Sequence, residues 1–190
     1  YVGFTSSLEN NGYHIIHSEL RKDEHGIWRM DYQDMEEKII RHKIHATIVC
    51  SPHNPCGRVW ERWELEQAME LFRKHDVMVV SDEIWSDLTM HGYQHIPTQS
   101  IVDKESSLSH YDEMNVLSMH ALIGAYSAEG LQWLTELREV LRSNIDYVCD
   151  FLKNELPGVT CSKPQGTYMV FVDCTDYCAA HDLTMDTILK

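Results

Sequence analysis

Basic residues and long apolar runs are both scarce in this chain of 190 residues. Lys and Arg total 16 against 30 Asp and Glu, which gives a net charge of −14. Such an excess of negative charge repels nucleic-acid phosphates and anionic lipids. The sequence also contains no run of 18 apolar residues and no basic leader followed by an apolar stretch. We therefore expect no nucleic-acid partner, no membrane partner and a cytoplasmic location.

Cysteine pairing motifs are absent as well. The chain has six cysteines, no two of which are spaced as Cys-x-x-Cys, and we interpret them as reduced thiols. Its twelve histidines are scattered, and no carboxylates or thiols join them at the spacing of metal ligands, so we expect no metal site. The chain opens at Tyr1 without an initiator methionine. We interpret that opening as the sign of a fragment.

The sequence does contain a clear β-α-β pattern. Apolar residues make up 43% of the chain and charged residues 24%, as in ordinary globular proteins. Two short apolar runs, 46–50 and 77–80, flank an amphipathic helical segment over 61–75, which predicts two parallel strands joined by a helix. A polar cluster follows each strand, at 51–55 and at 81–83. Because ligands bind beyond the carboxyl ends of parallel strands, we expect a cofactor there.

The remaining pattern predicts further elements on both sides of this unit. Asp31 is placed to cap a helix that ends near Arg41, and Ser109 with Asp112 is typical of a capping box. The pattern also predicts helices over 1–8, 109–126 and from 128 to Pro157, and strands over 14–17, 159–161 and 167–173. We expect the boundary between two domains within the long helix, near residue 140.

Three motifs together resemble one known family. They are N-P-x-G at 54–57, S-D-E-I at 81–84 and K-P-x-G-T-Y at 163–168. In this combination and spacing they resemble the fold-type I pyridoxal-phosphate enzymes of the aminotransferase class I and II family, and most closely their cystathionine β-lyase-like (MalY/PatB) branch. The resemblance implies an α/β fold. It is a three-layer sandwich with a mainly parallel sheet, here an incomplete large domain over 1–140 and the start of a small α+β domain over 141–190.

The resemblance also assigns roles around the cofactor, pyridoxal 5'-phosphate. Asp82 would keep the ring nitrogen protonated, because the pyridinium form is the one that stores electrons. Asn54 would donate a hydrogen bond to the ring's phenolic oxygen, and Ile84 would pack on one face of the ring. Trp85 stands where the family usually has His or Tyr, a departure from the pattern. Read without the resemblance, Asp82 is a solvated or helix-capping carboxylate and Asn54 part of a plain turn.

The loop over 163–168 carries the substrate-side residues, Gly166 and Tyr168, which the resemblance brings near a small amino-acid substrate. An ordinary hairpin turn is the alternative reading of this loop.

The lysine that the family needs is missing from the expected place. Fold-type I enzymes bind the cofactor through an aldimine lysine in an S-x-x-K motif roughly thirty residues after the aspartate, and that lysine also moves the α-proton. No S-x-x-K occurs in this chain, and the nearest lysine, Lys104, lies between Asp103 and Glu105. We therefore predict no catalytic lysine and interpret the chain as internally deleted at this point.

Two functions remain open from the sequence. One is a pyridoxal-phosphate-dependent C–S β-lyase or aminotransferase acting on a small amino acid as a homodimer, inactive as this isolated chain. The other is a non-catalytic fragment that acts only by dimerisation or by binding a regulator. Missing strands would expose sheet edges, so we expect this chain to be less stable than a complete relative and to self-associate.

Overall fold

The computed structural model describes residues 2–102 and 116–188, and these ranges contain thirteen helices and strands and a short 3₁₀ turn at Thr98–Ser100. In chain order they are α1 (Val2–Asn10), β1 (Arg21–Lys22), β2 (Trp28–Arg29), α2 (Tyr32–His42), β3 (Ala46–Cys50), α3 (Arg62–Lys74), β4 (Met78–Asp82), α4 (Val116–Ala125), α5 (Ala128–Glu155), β5 (Thr160–Cys161), β6 (Val172–Asp173), α6 (Thr175–His181) and α7 (Met185–Ile188).

The predicted β-α-β unit is confirmed. Strands β3 and β4 pair in parallel from Ala46 opposite Met78 to Cys50 opposite Asp82, and α3 connects them. Two further pairs in the described ranges, β1 with β2 and β5 with β6, are antiparallel. A parallel pair with a helical crossover is the signature of an α/β fold, which is the predicted class.

The apolar stripe of α3 forms the centre of the core. Leu65, Ala68, Met69 and Phe72, which recur at helical spacing, are all buried. Together with Leu71 of the same helix, Ala68, Met69 and Phe72 pack with apolar side chains outside α3: Ile39, Val49 and Val77. The sheet thus has one covered face, against which α3 lies.

Side chains of β4 that alternate along the strand remain outside this core. Met78 and Val80 share one face of the strand, and they are 64% and 49% exposed. The described structure therefore holds a parallel sheet that is packed mainly on one side.

Helix α2 has the ends that its sequence predicts. The Asp31 side chain accepts a hydrogen bond from the backbone N–H of Asp34 at 3.1 Å, which satisfies one free donor of the first turn. At the other end Lys43 adopts a left-handed conformation (φ 50°), and its N–H donates to the carbonyl of Ile39.

The long helix α5 begins at the Ser127 cap and ends just before Pro157, as predicted. Ile145 is its buried residue, whereas the other apolar positions of its stripe are half-buried: Leu134, Leu137, Leu141, Val148 and Leu152. The domain boundary near residue 140 falls in the middle of this helix and stays a prediction. None of the helices in the described ranges is both long and apolar enough to cross a bilayer.

Two strand predictions were wrong. Residues 14–17 form no strand, because no neighbouring segment pairs with their backbone groups. The strand predicted over 167–173 is reduced to Val172–Asp173, since the backbone at Thr167 instead binds Leu88 outside the pair. The proposed capping box of Ser109 and Asp112 lies outside the described residues.

Candidate functional site

Parallel pairing brings the two polar clusters together at one edge of the sheet. Cys50 and Asp82 are the last paired residues of β3 and β4, and the N–H of Ser51 donates to the carbonyl of Asp82 at 2.9 Å. The half-buried Asp82 carboxylate accepts from the N–H of Ile84 at 3.1 Å and lies 3.8 Å from the Cys50 thiol. It therefore sits at the carboxyl end of its strand, as the sequence predicts.

Asn54 belongs to a tight turn that follows β3. The turn is closed by two backbone bonds, from His53 N–H to the Arg58 carbonyl at 2.7 Å and from Gly57 N–H to the His53 carbonyl at 2.8 Å. The Ser51-Pro52 and Asn54-Pro55 peptide bonds are cis. The Asn54 side chain is half-buried and forms no hydrogen bond with another residue of the described ranges. Its amide is thus available to a ligand.

Ile84 and Trp85, which follow soon after Asp82, lie in different environments: the first is exposed and the second contacts another ring. Ile84 is 73% exposed, so its side chain borders open space next to the Asp82 carboxylate. The Trp85 ring meets the Tyr168 ring edge-on, with ring centroids 5.0 Å apart and planes at 84°. The structure therefore joins two predicted site residues that lie 83 positions apart in the sequence.

The loop over 163–168 contacts the segments that follow β3 and β4. The N–H groups of Gln165 and Gly166 donate to the Gly57 carbonyl at 2.8 and 3.0 Å, and Thr167 N–H donates to Leu88 at 2.7 Å. Gly57 has φ +67°, and a side chain there would put its Cβ 2.9 Å from the Gly166 carbonyl oxygen. The loop connects β5 to β6, as a hairpin would, but it also packs against the N-P-x-G turn.

A buried ion pair behind this turn was not foreseen. Arg58 is 4% exposed and pairs with Glu64, which is fully buried, while its Nε donates to the carbonyl of Trp28 at 2.8 Å. Arg58 also donates to the side-chain oxygen of Gln165, and Arg29 lies 3.0 Å from the second Glu64 oxygen. Each charge thus has an oppositely charged neighbour, although the buried Glu64 Oε1 atom accepts no hydrogen bond from the described residues.

A second unforeseen network surrounds Glu83, the residue after Asp82. Its carboxylate is 2.8 Å from the His95 ring nitrogen and accepts from Thr98 N–H at 2.8 Å and from the Ser81 hydroxyl at 2.9 Å. Burial acts to raise the pKa of Glu83, but these hydrogen bonds outweigh it and lower the pKa to about 2. Glu83 thus fastens the segment at His95 to the end of β4, beside Asp82.

One Cys-His contact lies in the turn, but its electrostatics do not suit nucleophilic catalysis. The Cys56 sulfur is 3.0 Å from the His53 ring nitrogen. Burial lowers the pKa of His53 to about 4 and raises that of Cys56 to about 11. Both groups are therefore neutral near pH 7, whereas a reactive cysteine needs its thiolate form. This pair is structural.

The residues at the carboxyl ends of β3 and β4 fit part of a pyridoxal-phosphate site. A carboxylate and an unengaged amide follow adjacent strands, which is what a pyridinium ring with a neighbouring oxygen would need. The sequence holds no S-x-x-K motif for a covalent lysine, and Lys104 lies outside the described residues. Among the described residues, no group of three or more His, Cys, Asp or Glu side chains could hold a metal ion.

The sequence matches the family described as Aminotransferase class I and II over residues 1–119. It is 31% identical to cystathionine beta-lyase PatB of Bacillus subtilis, over 93% of this chain and 55% of that protein, and 28% identical to protein MalY of Escherichia coli, over 91% and 53%. The fold is similar to the PLP-bound C-S lyase from Staphylococcus hominis, with TM-score 0.81 and 28% identity over 95% of this chain and 54% of that one.

The chain spans about half the length of the relatives that it matches. The alignment with PatB is 215 positions long although it covers only 93% of these 190 residues. It must therefore include positions of PatB to which no residue of this chain corresponds. This finding agrees with a shortened sequence and is consistent with the absence of an S-x-x-K motif.

Proposed function

Since the chain belongs to the aminotransferase class I and II family, we propose that it carries the ring-binding part of a pyridoxal-phosphate-dependent C–S β-lyase that acts on a small amino acid. The observation that carries the proposal is the pairing of β3 with β4, which puts Asn54 and Asp82 at one edge of the sheet. The names of PatB and of the staphylococcal C-S lyase favour lyase chemistry. Amino-group transfer is the other activity of this family.

The proposed roles follow from the chemistry of each side chain. Pyridoxal phosphate, when bound, supplies an electron sink for negative charge on the substrate's α-carbon. The Asp82 carboxylate would hold a proton on the ring nitrogen, and the Asn54 amide would donate to the ring oxygen. Ile84 would cover one ring face and exclude water from it, with Trp85 beside it.

The substrate side is proposed to lie at the loop over 163–168. Gly166 is buried and closely packed, since a side chain there would put its Cβ 3.0 Å from the Leu88 carbonyl oxygen. Tyr168 is 54% exposed and rests on Trp85, so its ring borders the proposed cofactor region. A small amino acid would bind between this loop and the Asp82 edge.

A non-catalytic role is the second candidate, and the absence of an S-x-x-K motif favours it. Without that lysine the chain would lack the family's covalent bond to the cofactor and the group that moves the α-proton in its relatives. We propose that this chain is inactive by itself and assembles as a homodimer in the cytoplasm. Binding of a regulator would then be its remaining activity.

Titration with pyridoxal phosphate, followed by borohydride reduction and peptide mass spectrometry, tests both candidates. We expect saturable binding that Asp82→Ala weakens about tenfold or more, because a charge-assisted hydrogen bond is lost. The exposed Asp76→Asn serves as the matched control and should bind like the parent. We also expect no stoichiometric lysine adduct.

Two outcomes would contradict these proposals separately. Equal binding by the Asp82→Ala and Asp76→Asn variants would remove the ring-binding role. A stoichiometric adduct on one lysine, Lys104 above all, would show that the covalent site is rebuilt and that the chain is not inactive.

A further inference from the structure

Helix α5 and strand β5 meet at two thiols. The Sγ atoms of Cys149 and Cys161 are 3.4 Å apart, and the Cys161 thiol donates a hydrogen bond to Cys149. Both residues are half-buried, and all six cysteines of the chain are free thiols. The two sulfurs are therefore in contact without being bonded.

The other thiols with described contacts have different partners. Cys50 lies against Asp82, Cys56 against His53, and Cys178 is 4.0 Å from the Met185 sulfur. Contact between two thiols thus occurs, within the described residues, at the junction of α5 and β5. The two cysteines are 12 positions apart in the sequence, with Pro157-Gly158 between them.

We propose that Cys149 and Cys161 form a site of thiol–disulfide exchange that is oxidised by small disulfides of the glutathione disulfide class. The thiolate of one cysteine attacks a sulfur of glutathione disulfide, and one glutathione leaves as the thiol. The second cysteine then loses its proton and displaces the other glutathione. Two protein thiols are oxidised to one disulfide while one glutathione disulfide is reduced to two glutathione thiols.

The geometry requires only a small movement. A disulfide bond is about 2.05 Å long, so the two sulfurs would have to approach by about 1.4 Å. Rotation of two half-buried side chains can supply this shift. The resulting cross-link would tie β5, and with it the loop over 163–168 that follows, to the long helix.

The charges around the pair determine how fast exchange can occur. Burial and the hydrogen bond with Cys161 raise the pKa of Cys149 to about 11. Lys163 opposes this shift, but it is itself paired with Asp146 on α5, and Asp150 lies nearby on the same helix. We therefore expect slow exchange at neutral pH that accelerates as the pH rises, because only the thiolate attacks.

The test is incubation of the reduced chain with glutathione disulfide, followed by thiol counting under denaturing conditions and peptide mapping. We expect free thiols to fall from six to four, with one disulfide between the Cys149 and Cys161 peptides. The rate should increase between pH 7 and pH 9. Re-addition of excess reduced glutathione should restore six thiols.

Two single variants and a matched control complete the design. Cys149→Ser and Cys161→Ser each begin with five thiols and should end with four, because the remaining partner carries one glutathione and no protein disulfide forms. Cys174→Ser, which removes a thiol outside the pair, should still form the cross-link. Glutathione spread over several cysteines of the parent chain, or a disulfide between any other two, would overturn the proposal.

Discussion

The ionisation of the Glu83 side chain should be visible in the stability of the fold. Its pKa is about 2 in the folded chain against an ordinary value of 4.5. A lowered pKa stabilises the folded state fully above the unfolded value and loses that effect as the pH falls toward the folded one. Glu83 should therefore contribute stability above about pH 4.5 and lose it progressively toward pH 2.

Replacing Glu83 by Gln gives the corresponding prediction. The variant should be less stable than the parent at neutral pH, and the difference should shrink between about pH 4.5 and pH 2 as the parent loses its advantage. Urea unfolding at a series of pH values measures this. Glu66→Gln, at an exposed position of α3, is the control, and a pH-independent difference for Glu83→Gln would contradict the assignment.

The buried pair of Arg58 and Glu64 gives a second prediction at this scale. Glu64→Ala leaves the Arg58 guanidinium buried beside an unfilled space, which should lower the free energy of unfolding by about 3–5 kcal/mol. Glu70→Ala removes a carboxylate that pairs with Arg73 on the exposed face of the same helix, and should have little effect. Urea unfolding measures the loss of stability in both variants. Equal losses would mean that the buried Arg58–Glu64 pair contributes no more than an exposed ion pair does.

Single side chains differ in how far the sequence could predict them. The positions of Asp82 and Asn54 at the carboxyl ends of β3 and β4 were predictable from the strand pattern, whereas their roles at a cofactor came from the family resemblance and stay a prediction. The contact of Arg58 with Gln165 joins residues 107 positions apart, and no local pattern marks it. A buried arginine is also unusual for its residue type, so burial statistics would have placed Arg58 on the surface.

Among the elements, α2 offers a clean test of a helix cap. Asp31→Ala removes the acceptor for the Asp34 N–H and should cost about 1 kcal/mol of stability. Asp31→Asn keeps the capping oxygen and should recover most of it. The Asp31 Oδ2 atom also lies 2.5 Å from Arg21 Nε, so Arg21→Ala measures the contribution of this ion pair separately. Urea unfolding of the three variants distinguishes cap from charge, and equal losses in the Asn and Ala variants would exclude capping.

Helices proved more predictable than strands in this chain. The repeating apolar positions of α3 extend over more than three turns, so periodicity alone located both its ends and its buried face. The segment 14–17 has the β-branched residues Ile15 and Ile16 but forms no strand. Strand formation depends on a partner for the backbone, and four residues of local sequence cannot reveal whether a partner exists.

At the scale of the whole molecule, exposed apolar surface predicts self-association. Met78 and Val80 are largely exposed on β4, as are Leu117 and Ile123 on α4 at 82% and 67%. Apolar side chains that are exposed in this way favour contact between copies of the chain. We expect dimers or larger species by light scattering, with the fraction rising with concentration.

Charged substitutions on the open face of β4 test this expectation. Met78→Lys with Val80→Lys should shift the chain toward monomer, because burying two ammonium groups in a contact is costly. Val2→Lys, at an exposed position of α1, is the control and should leave association unchanged. A monodisperse parent monomer with a cooperative melt at high temperature would contradict the prediction.

The close approach of Gly57 to the loop over 163–168 also constrains the order in which the chain can fold. During synthesis the turn at Gly57 leaves the ribosome long before Gln165 does. Until then the Arg58 guanidinium lacks one of its partners, and the turn has no loop packed against it. Closing so long a loop comes late in folding, because the chain entropy must be lost before the contact forms. A nascent chain stopped before Gln165 would contain β3, α3 and β4. It would lack the loop that packs against the Gly57 turn.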